Sequence, residues 1–520
     1  MTVLSHGKDD KRPNVVMIMV DDMGFSDIGC YGGEIATPNL DRLARNGLRF
    51  SRFHNTAKCF PSRACLLTGQ YAQRVGMGDK PLSFTNAVTV AEVLQNSGYR
   101  TLMTGKHHGE ENPVRFGFDR YWGLMDGASN HFNPGKRRAG EPVPANKQGN
   151  FGERKWGIDH EIRTPYTPEE GDFYSTDYFT NHAIGFLDQY KGESKPFFLY
   201  VAYTAPHDPL MAWPADIKKY IGSYMEGYES IRRKRYERQV EMGMLDRTYP
   251  LSAPTYEDWA KLFAEEKAAR DAIMATYAAM IDRVDQNIGR LLGKLEELGQ
   301  LANTIILFMS DNGAQSQSDP QSWLWARGKE SDPSLPIGSV GRWTSLNLSW
   351  ANVSNTPFRL YKADSHEGGI ATPLIVSWKD KIRQPGRITA FPAHLIDIMP
   401  TLLHLIGASY PTHNRKGEEV EAMDGINLAP LFDHRLPVRG KPLYWQWANG
   451  KAIRKDNWKL VSDNNEPWEL YDVSHDQTET DNVIDEYPRV AEELKREWQM
   501  WIGETKARES TRKPSLTGSR

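Results

Sequence analysis

The segment NVVMIMVDDMG, residues 14–24, decides the fold class of this chain. Its first seven residues form a continuous apolar run that is rich in β-branched side chains, and Pro13 precedes them. Such a run predicts a strand that is buried on both faces of a sheet. Similar runs at 196–203, 304–310 and 373–378 predict three further buried strands.

Helical patterns alternate with these strands. Short helices are predicted at 39–46 and 89–97, which end at Gly47 and Gly98. A long helix is predicted at about 261–298, because apolar residues recur there at steps of three and four. Alternating strands and helices predict an α/β fold with a large, mostly parallel or mixed sheet flanked by helices.

The pattern changes after about Arg439. Residues 442–461 predict a hairpin with Asn449-Gly450 at its turn, and 490–502 predict an amphipathic helix. We therefore expect a large N-terminal α/β domain at 1–438 and a smaller α+β domain, an antiparallel sheet plus a helix, at 439–503. The polar, basic stretch 504–520 is predicted to be disordered.

Composition narrows the possible functions. The 520 residues carry a formal net charge of −3, which gives no electrostatic reason to expect nucleic acid or an anionic membrane as partner. Three cysteines are too few for a disulfide framework. The first residues contain no apolar signal region or transmembrane segment, so we expect a cytoplasmic protein unless a signal has been removed. The basic run 231–235, IRRKR, is interpreted as a solvated helix face.

Oxygen-bearing side chains follow two of the predicted strands. Asp21 and Asp22 come directly after the first strand, and Asp311 and Asn312 follow the strand at 304–310. In an open α/β sheet the carboxyl ends of the strands face the ligand crevice. Either pair alone would be interpreted as a turn or helix cap. Two such pairs favour a site for a hard divalent cation.

Basic side chains occur in glycine- and proline-rich segments near other strand ends. The segments TGKHHGE, APHDP and RLYKADSHEGG contain Lys106, His107, His108, His207, Lys362 and His366. A metal site with several lysines and histidines suits binding and cleavage of a tetrahedral oxyanion ester.

The segment CFPSRACLLTG, residues 59–69, is harder to explain from chemistry alone. No Cys-x-x-Cys or Cys/His ligand spacing surrounds Cys59, so a metal-bound thiolate accounts for it poorly. A cysteine–histidine hydrolase would leave the acidic pairs unexplained.

This segment resembles the C-x-P-S-R signature of the type I sulfatases, whose fold is alkaline-phosphatase-like. The segments around Asp21, Lys106, His207, Asp311 and Lys362 are similar, in the same order, to the other blocks of that family. His107 stands where the family usually has tryptophan; it either contacts substrate or only changes packing. The resemblance covers about residues 13–475 and is closest to bacterial arylsulfatases.

The resemblance implies a role for Cys59. A maturation enzyme of this family converts the cysteine to Cα-formylglycine, whose hydrate supplies the nucleophile. A Ca²⁺ ion would be held by the side chains of Asp21, Asp22, Asp311, Asn312 and modified residue 59.

Further roles carry over from the family. Arg63 would orient the nucleophile, and Lys106 and Lys362 would bind the sulfate oxygens. His207 would act as general acid toward the leaving alcohol, and His108 would take a proton from residue 59 as sulfate is eliminated. Cys30 and Cys65 match no functional position, so we interpret both as packing residues.

The expected substrate is a sulfate monoester, with aryl sulfates first. Carbohydrate or alkyl sulfates, phosphonate monoesters or phosphodiesters, and a non-catalytic binding role remain alternatives. Residues that select the substrate are expected in the irregular regions 126–172 and 313–358, with these candidates: Asp126, Asn130, His131, Trp156 and Trp343.

Overall fold

The computed structural model describes residues 12–145, 153–316, 331–379 and 381–512. Within them, ten strands form one sheet: β1 (Asn14–Val20), β2 (Gly47–Phe50), β4 (Arg100–Gly105), β5 (Arg120–Leu124), β6 (Trp156–Ile158), β7 (Glu161–Arg163), β8 (Phe197–Ala202), β9 (Thr304–Ser310), β10 (Leu374–Ser377) and β11 (Arg387–Thr389). Their order across the sheet is β11-β2-β10-β9-β1-β8-β4-β5-β6-β7. A two-stranded pair consists of β3 (Phe53–His54) and β12 (Ala393–His394).

Helices cover both faces of the sheet. In chain order they are α1 (Pro38–Arg45), α2 (Cys59–Thr68), α3 (Val90–Asn96), α4 (Ser175–Tyr190), α5 (Pro214–Lys218), α6 (Tyr228–Glu241), α7 (Ala264–Glu297), α8 (Leu348–Ser354), α9 (Glu367–Ile370), α10 (Ile398–Ile406) and α11 (Pro488–Arg512). None of these described helices combines the length and the apolar composition needed to cross a lipid bilayer.

Strand β1 lies at the centre of the sheet, parallel to both β8 and β9. All seven of its residues are buried, as the apolar run predicts. Val15 and Met17 face one hydrophobic cluster, and Val16 and Ile18 face the other, because alternate side chains of a strand point to opposite faces. β10 runs antiparallel between β9 and β2, so the sheet is mixed and the predicted α/β fold is confirmed.

The basic run in α6 is not the solvated face that its composition suggests. Arg232 and Arg235 are fully buried, while Arg233 and Lys234 are exposed. Arg235 forms ion pairs of 2.7 Å with Asp27 and with Glu34. The interpretation was wrong for the two buried arginines, because a spacing of three places both on the inner face of the helix.

Parts of the two irregular regions are regular. The region 126–172 contains β6 and β7, which extend the sheet beyond β5, so the expectation of an irregular loop was wrong there. The region 313–358 contains α8, and its residues 317–330 lie outside the described part of the chain.

The C-terminal part forms an antiparallel sheet of β13 (Leu443–Trp447), β14 (Gly450–Lys455), β15 (Trp458–Ser462) and β16 (Glu469–Asp472). Trp447 pairs with Gly450, so Ala448 and Asn449 form the hairpin loop, one residue earlier than predicted. Helix α11 packs against this sheet, and the Nε1 atom of Trp498 donates to the carbonyl of Trp445 at 3.0 Å. The division of the chain at residue 438 stays a prediction.

Helix α11 continues past Glu504 to Arg512, and the disorder expected of the tail 504–520 stays a prediction. Trp498 and Trp501 fix this helix on the sheet, and the alanine, lysine, glutamate and arginine that follow are good helix formers. Residues 513–520 lie outside the described residues.

A buried cluster of charges joins the C-terminal sheet to the rest of the fold. The Nζ atom of Lys459, in β15, lies 2.7 Å from Oε1 of Glu367 and 2.5 Å from Oε1 of Glu479. All three side chains are at most 1% exposed. Removing Lys459 would leave two buried carboxylates without the cation that they share, in a medium that solvates charge poorly.

We expect Lys459→Met to lower the free energy of unfolding by about 3–5 kcal/mol, which is the usual result of breaking a buried ion pair. Urea denaturation followed by circular dichroism measures the loss. The matched control is Lys455→Met in β14, because Lys455 is 39% exposed and pairs with Glu497 at 3.0 Å. That control should lose less than about 1 kcal/mol. Equal losses in the two variants would contradict the prediction.

Candidate active site

Two neighbouring strands deliver the predicted oxygen ligands to one place. Asp21 and Asp22 follow β1, and Asp311 and Asn312 follow β9. The amide of Asp22 donates to Oδ1 of Asp311 at 3.3 Å, and Nδ2 of Asn312 donates to Oδ1 of Asp22 at 2.6 Å. All four side chains are buried. The structure therefore brings together the residues that the sequence placed at separate strand ends.

Three acceptor atoms of this group have no hydrogen-bond partner among the described residues. They are Oδ1 of Asp21, Oδ2 of Asp22 and Oδ1 of Asn312, and all are buried. Buried acceptors without partners are costly unless a cation or water satisfies them. A divalent cation that prefers oxygen ligands fits this set.

The side chains of Asp21 and Asp22 differ in their pKa values. Burial and the carboxylate of Asp311 raise the pKa of Asp21 to about 7, although Lys106 opposes them. Burial also opposes ionisation of Asp22, but His207 and Lys362 lower its pKa to about 2. Burial, and after it the crowding of carboxylates, explains the raised pKa of Asp21, and both are further reasons why a cation would stabilise the group.

Cys59 is the first residue of α2 and is 2% exposed. Its Sγ atom and ligand oxygens of Asp21 and Asp311 all lie within 4.8 Å of one another. Ser62 shapes the turn before the helix, because its Oγ accepts a hydrogen bond from the amide of Thr56 at 3.0 Å. The start of a helix favours negative charge, since its first amide groups point outward.

The surroundings of Cys59 are electropositive. Burial alone would raise the pKa of its thiol, but Lys106 and Lys362, with Lys58, lower the pKa to about 7. Any nucleophile at this position therefore gains stabilisation of its anionic form.

Arg63 lies one turn further along α2 and is almost fully buried. Its guanidinium donates to Oδ2 of Asp311 at 2.7 Å and 3.1 Å, and its Nη1 donates to the carbonyl of Lys106 at 3.0 Å. It thus holds the helix that carries Cys59 against the ends of β9 and β4.

Lys106 and Lys362 reach the acidic group from two different segments. Nζ of Lys106, after β4, lies 2.6 Å from Oδ2 of Asp21, and Nζ of Lys362 lies 2.5 Å from Oδ1 of Asp22. The residue after Lys362, Ala363, donates its amide to the carbonyl of Ala57 at 2.8 Å. This bond ties the Lys362 segment to the turn before Cys59.

The pKa values of His207 and His108 are shifted in opposite directions. Burial lowers the pKa of His207, but the carboxylates of Asp22 and Asp21 outweigh it and leave the pKa raised. His207 Nε2 lies 3.5 Å from Asp22 Oδ2, and Nδ1 lies 2.6 Å from the carbonyl of Asp208. By contrast, burial together with Lys106 holds the pKa of His108 well below its ordinary value. His207 thus favours the protonated form, and His108 the neutral form.

A cavity of about 400 Å³ opens above Cys59. Its walls include Phe60, His108 and His207, and also Asp126 from the set of candidates for substrate selection. The other four candidates do not line it. Asn130 and His131 bind backbone carbonyls inside the protein, and Trp156 and Trp343 are buried in apolar clusters.

Sequence reasoning missed four charged residues of this cavity. They are Lys58, Glu110, Arg154 and Lys155. The only signal in the sequence was the charge of these side chains, which is common on any protein surface. His131 has a different role, because its Nε2 lies 3.0 Å from the carbonyl of His207 and so helps to position that residue.

His107 belongs to a group of aromatic rings outside the cavity walls. Its ring centroid lies 5.1 Å from that of Phe116 and 6.4 Å from that of Phe84. Burial lowers its pKa to about 3, so the ring is neutral. This favours the packing interpretation of the unusual residue. Cys30 and Cys65 are free and buried, as expected of packing residues.

His366 lies in the charged cluster beneath the site. Its Nδ1 is 2.7 Å from Oδ2 of Asp463, and its Nε2 is 2.8 Å from Oε2 of Glu469. Burial opposes protonation, but Glu479, Asp463 and Glu469 raise the pKa of His366 to about 9.

Comparison with known protein families gives this geometry a context. The family model "Sulfatase" matches residues 13–408. The chain belongs to the sulfatase family. A second model, "N-sulphoglucosamine sulphohydrolase, C-terminal", matches residues 360–502 of this sulfatase. Membership makes the protein a sulfuric ester hydrolase.

Individual relatives extend over most of this sulfatase. It is 33% identical to an uncharacterized sulfatase of Schizosaccharomyces pombe, over 96% of this chain and 94% of the relative. It is also 33% identical to an arylsulfatase of Klebsiella aerogenes, over 82% of this chain and 93% of the relative. An N-acetylglucosamine-6-O-sulfatase of Bacteroides thetaiotaomicron is 26% identical, over 94% of this chain and 86% of the relative.

Solved structures agree on the fold. Ps i-CgsB in complex with k-i-k-neocarrahexaose superposes with a TM-score of 0.66 at 25% identity, over 94% of this chain and 92% of that one. A phosphonate monoester hydrolase of Agrobacterium radiobacter superposes with a TM-score of 0.58 at 17% identity, over 95% and 96% of the chains. The latter likeness concerns the fold alone.

Gly127 allows His108 its position. A Cβ atom at residue 127 would lie 2.5 Å from Nε2 of His108, so Gly127→Ala must displace the imidazole. Because the family resemblance implies a proton-transfer role for His108, we expect kcat to fall by about 10- to 100-fold, the usual effect of displacing such a group. Steady-state kinetics on an aryl sulfate measures the fall. Gly185→Ala in α4 is the control, because a Cβ atom there meets nothing within 4 Å. An unchanged kcat in Gly127→Ala would contradict the prediction.

The charge on His366 gives stability a dependence on pH. Its folded-state pKa of about 9 exceeds the ordinary 6.5, so its stabilising effect is complete below about pH 6.5 and is lost as the pH rises through about 9. We expect His366→Gln to lower the free energy of unfolding by about 3 kcal/mol near pH 6.5 and by less near pH 9.5.

Urea denaturation of both proteins at several pH values measures this difference. Burial and Asp463 raise the pKa of the neighbouring Asp364 to about 7, so the points above that pH isolate the titration of His366. The control is His475→Gln, since His475 is 85% exposed. A difference that stays constant with pH would be inconsistent with the proposed protonation.

Proposed function

We propose that this sulfatase hydrolyses sulfate monoesters, aryl sulfates foremost, to a phenol or alcohol and inorganic sulfate at residue 59. The observation that carries the proposal is the position of Cys59. It lies at a helix start, among two buried lysines and a set of buried acceptor oxygens without partners. The arylsulfatase of Klebsiella aerogenes, at 33% identity, supports the choice of aryl sulfates.

Two groups would complete the site. Conversion of Cys59 to formylglycine would supply a hydrated aldehyde whose hydroxyl is the nucleophile, and a bound Ca²⁺ would polarise the ester and favour the ionised hydroxyl. The ligands that fit the ion are Asp21, Asp22, Asp311, Asn312 and residue 59. Because Cys59 is 2% exposed, the maturation enzyme that we propose as a transient partner would act before folding is complete.

Lys106 and Lys362 would bind the oxygens of the sulfate group. Each ammonium lies within 2.6 Å of one aspartate, and each retains further donors for a second acceptor. Their positive charge would stabilise the negative charge that develops on the ester in the transition state. Arg63 does not need to contact substrate. Its hydrogen bonds to Asp311 and to the Lys106 carbonyl fix the position of the helix that carries residue 59 relative to Lys106.

Two histidines would move protons in opposite directions. His207, whose pKa is raised, would donate a proton to the leaving phenol or alcohol oxygen. His108, which is neutral, would accept a proton from residue 59 in the step that releases sulfate. The carbonyl of Asp208 and the ring of His131 hold His207 in place for this task.

A sulfated carbohydrate is the second candidate substrate. The cavity walls contain five charged side chains, Lys58, Glu110, Asp126, Arg154 and Lys155, beside the reacting groups. Such a polar wall suits a hydroxylated leaving group better than an unsubstituted aromatic ring. The relative from Bacteroides thetaiotaomicron, an N-acetylglucosamine-6-O-sulfatase, supports this candidate. The cytoplasmic location stays a prediction.

The test begins with the mass of the tryptic peptide from Cys59 to Arg63, purified from cells that contain a maturation enzyme. We expect the mass of a cysteine whose sulfur is replaced by oxygen and which has lost two hydrogens. The same protein should hydrolyse 4-nitrophenyl sulfate with multiple turnovers. Cys59→Ser should stop after at most one turnover, because serine provides no second hydroxyl from which sulfate can be expelled.

Cys65→Ala is the matched control. Cys65 lies in the same helix, is fully buried and has no assigned role in the chemistry. Its variant should keep the turnover of the parent protein. Repeated turnover by Cys59→Ser, with its sequence confirmed by mass, would refute the proposed nucleophile.

A further inference from the structure

The cavity above Cys59 contains a buried cation that the proposed chemistry does not use. Arg154 lines this cavity and is 7% exposed. Among the described residues its guanidinium forms no ion pair within 4 Å, and its Nε atom has no hydrogen-bond partner. Of the other four buried arginines that we describe, Arg63, Arg232 and Arg235 bind carboxylates or carbonyls. The fourth, Arg454, does not line this cavity and has no such partner among the described residues.

Burial of this side chain is unfavourable in the absence of an anion. Burial lowers the pKa of Arg154, and only the carboxylate of Asp126 opposes that shift. Asp126 forms no ion pair with Arg154 within 4 Å among the described residues, and its Oδ2 accepts the amide of Lys155 at 2.6 Å. A buried guanidinium with free donors is a site for a carboxylate or a sulfate, which match its planar array of N–H groups.

The backbone around Arg154 is well fixed. Arg154 lies two residues before Trp156, the first residue of β6, which pairs with Leu124 at the end of β5. The amide of Met125 donates to the carbonyl of Lys155 at 2.9 Å. Arg154 therefore lies in the short segment that leads into β6, next to the pairing of β5 with β6.

The same segment joins Arg154 to the reacting groups. Residues 125–128 line the cavity between Lys155, which binds Asp126, and His108, which packs against Gly127. His108 and Cys59 line the cavity as well. A ligand in about 400 Å³ can thus contact residue 59 and Arg154 together, since small-molecule sites have this size.

We propose that Arg154 forms an anion-binding subsite that receives a second negatively charged group on the leaving-group part of the substrate. This inference rests on the proposed function of residue 59, and it narrows the substrate to sulfate esters that carry a further carboxylate or sulfate. An ester without a second anion leaves Arg154 unpaired in the complex. The subsite therefore selects dianionic substrates over monoanionic ones.

Two matched substrate pairs test the subsite and distinguish the two kinds of anion. The first pair is phenyl sulfate and 3-carboxyphenyl sulfate. The second is N-acetylglucosamine 6-sulfate and glucosamine 2-N,6-O-disulfate. Values of kcat/KM are measured for the parent protein, Arg154→Gln and Arg154→Lys, after mass spectrometry has confirmed formylglycine at residue 59.

We expect the parent protein to favour the dianionic member of at least one pair. Arg154→Gln should lower kcat/KM for that member by roughly 10- to 100-fold, the range for a lost hydrogen bond between charged groups. It should lower kcat/KM for the monoanionic member by a much smaller factor, and Arg154→Lys should recover part of the preference. The control Arg163→Gln, at an exposed arginine of β7 that pairs with Glu161, should change neither substrate.

Other outcomes would overturn the inference. Equal kcat/KM values within both pairs for the parent protein would show that no second anion is selected. Equal losses for both members in Arg154→Gln would show that Arg154 only supports the structure. If formylglycine-containing protein hydrolysed none of the four esters, the proposed function itself would fail, and the subsite with it. That result differs from an active enzyme without a preference.

Discussion

Parallel pairing of β1 with β9 brings two buried pairs of oxygen-bearing side chains to one edge of the sheet. Asp21 and Asp22 would repel Asp311 across that edge without nearby positive charge. Arg63, Lys106 and Lys362 provide it from three separate segments of the chain. The need to balance these charges explains why the segments after β4, at the start of α2 and before α9 all converge on this point.

The C-terminal sheet contributes to the same site from below. Asp463, after β15, accepts hydrogen bonds from the amide of Ser365 at 2.9 Å and 2.8 Å and binds the ring of His366. Lys459 binds Glu367 in the same stretch. These contacts hold the segment that presents Lys362, so the smaller sheet helps to position a residue of the candidate active site. One hydrophobic cluster also runs from α2 to α11, which makes the two parts one packed unit at this face.

The part of the site that suits the sulfate group and the part that suits the rest of the substrate differ in charge and in position. A deep region of paired ions around residue 59 suits the sulfate group, which is the same in every substrate of the family. The outer walls of the cavity, which include Asp126, Arg154 and Lys155, would contact whatever is attached to that group. Differences between substrates of sulfatases are therefore expected to depend on the outer walls, which come from the segment that adds β6 and β7 to the sheet.

The sequence by itself determined the elements that depend on local pattern. The apolar run at 14–20 gave a buried strand, the spacing at 261–298 a long helix, and the motif around Cys59 the family. The acidic pairs were recognisable because they follow strands directly. Only the tertiary structure decided contacts between distant segments. They include the burial of Arg232 and Arg235, the packing of His107, the interior positions of Asn130 and Trp156, and the place of Arg154 in the cavity without an ion pair among the described residues. A charged side chain has the same local pattern whether it faces water or a counter-ion, so its environment depends on which segments fold against it.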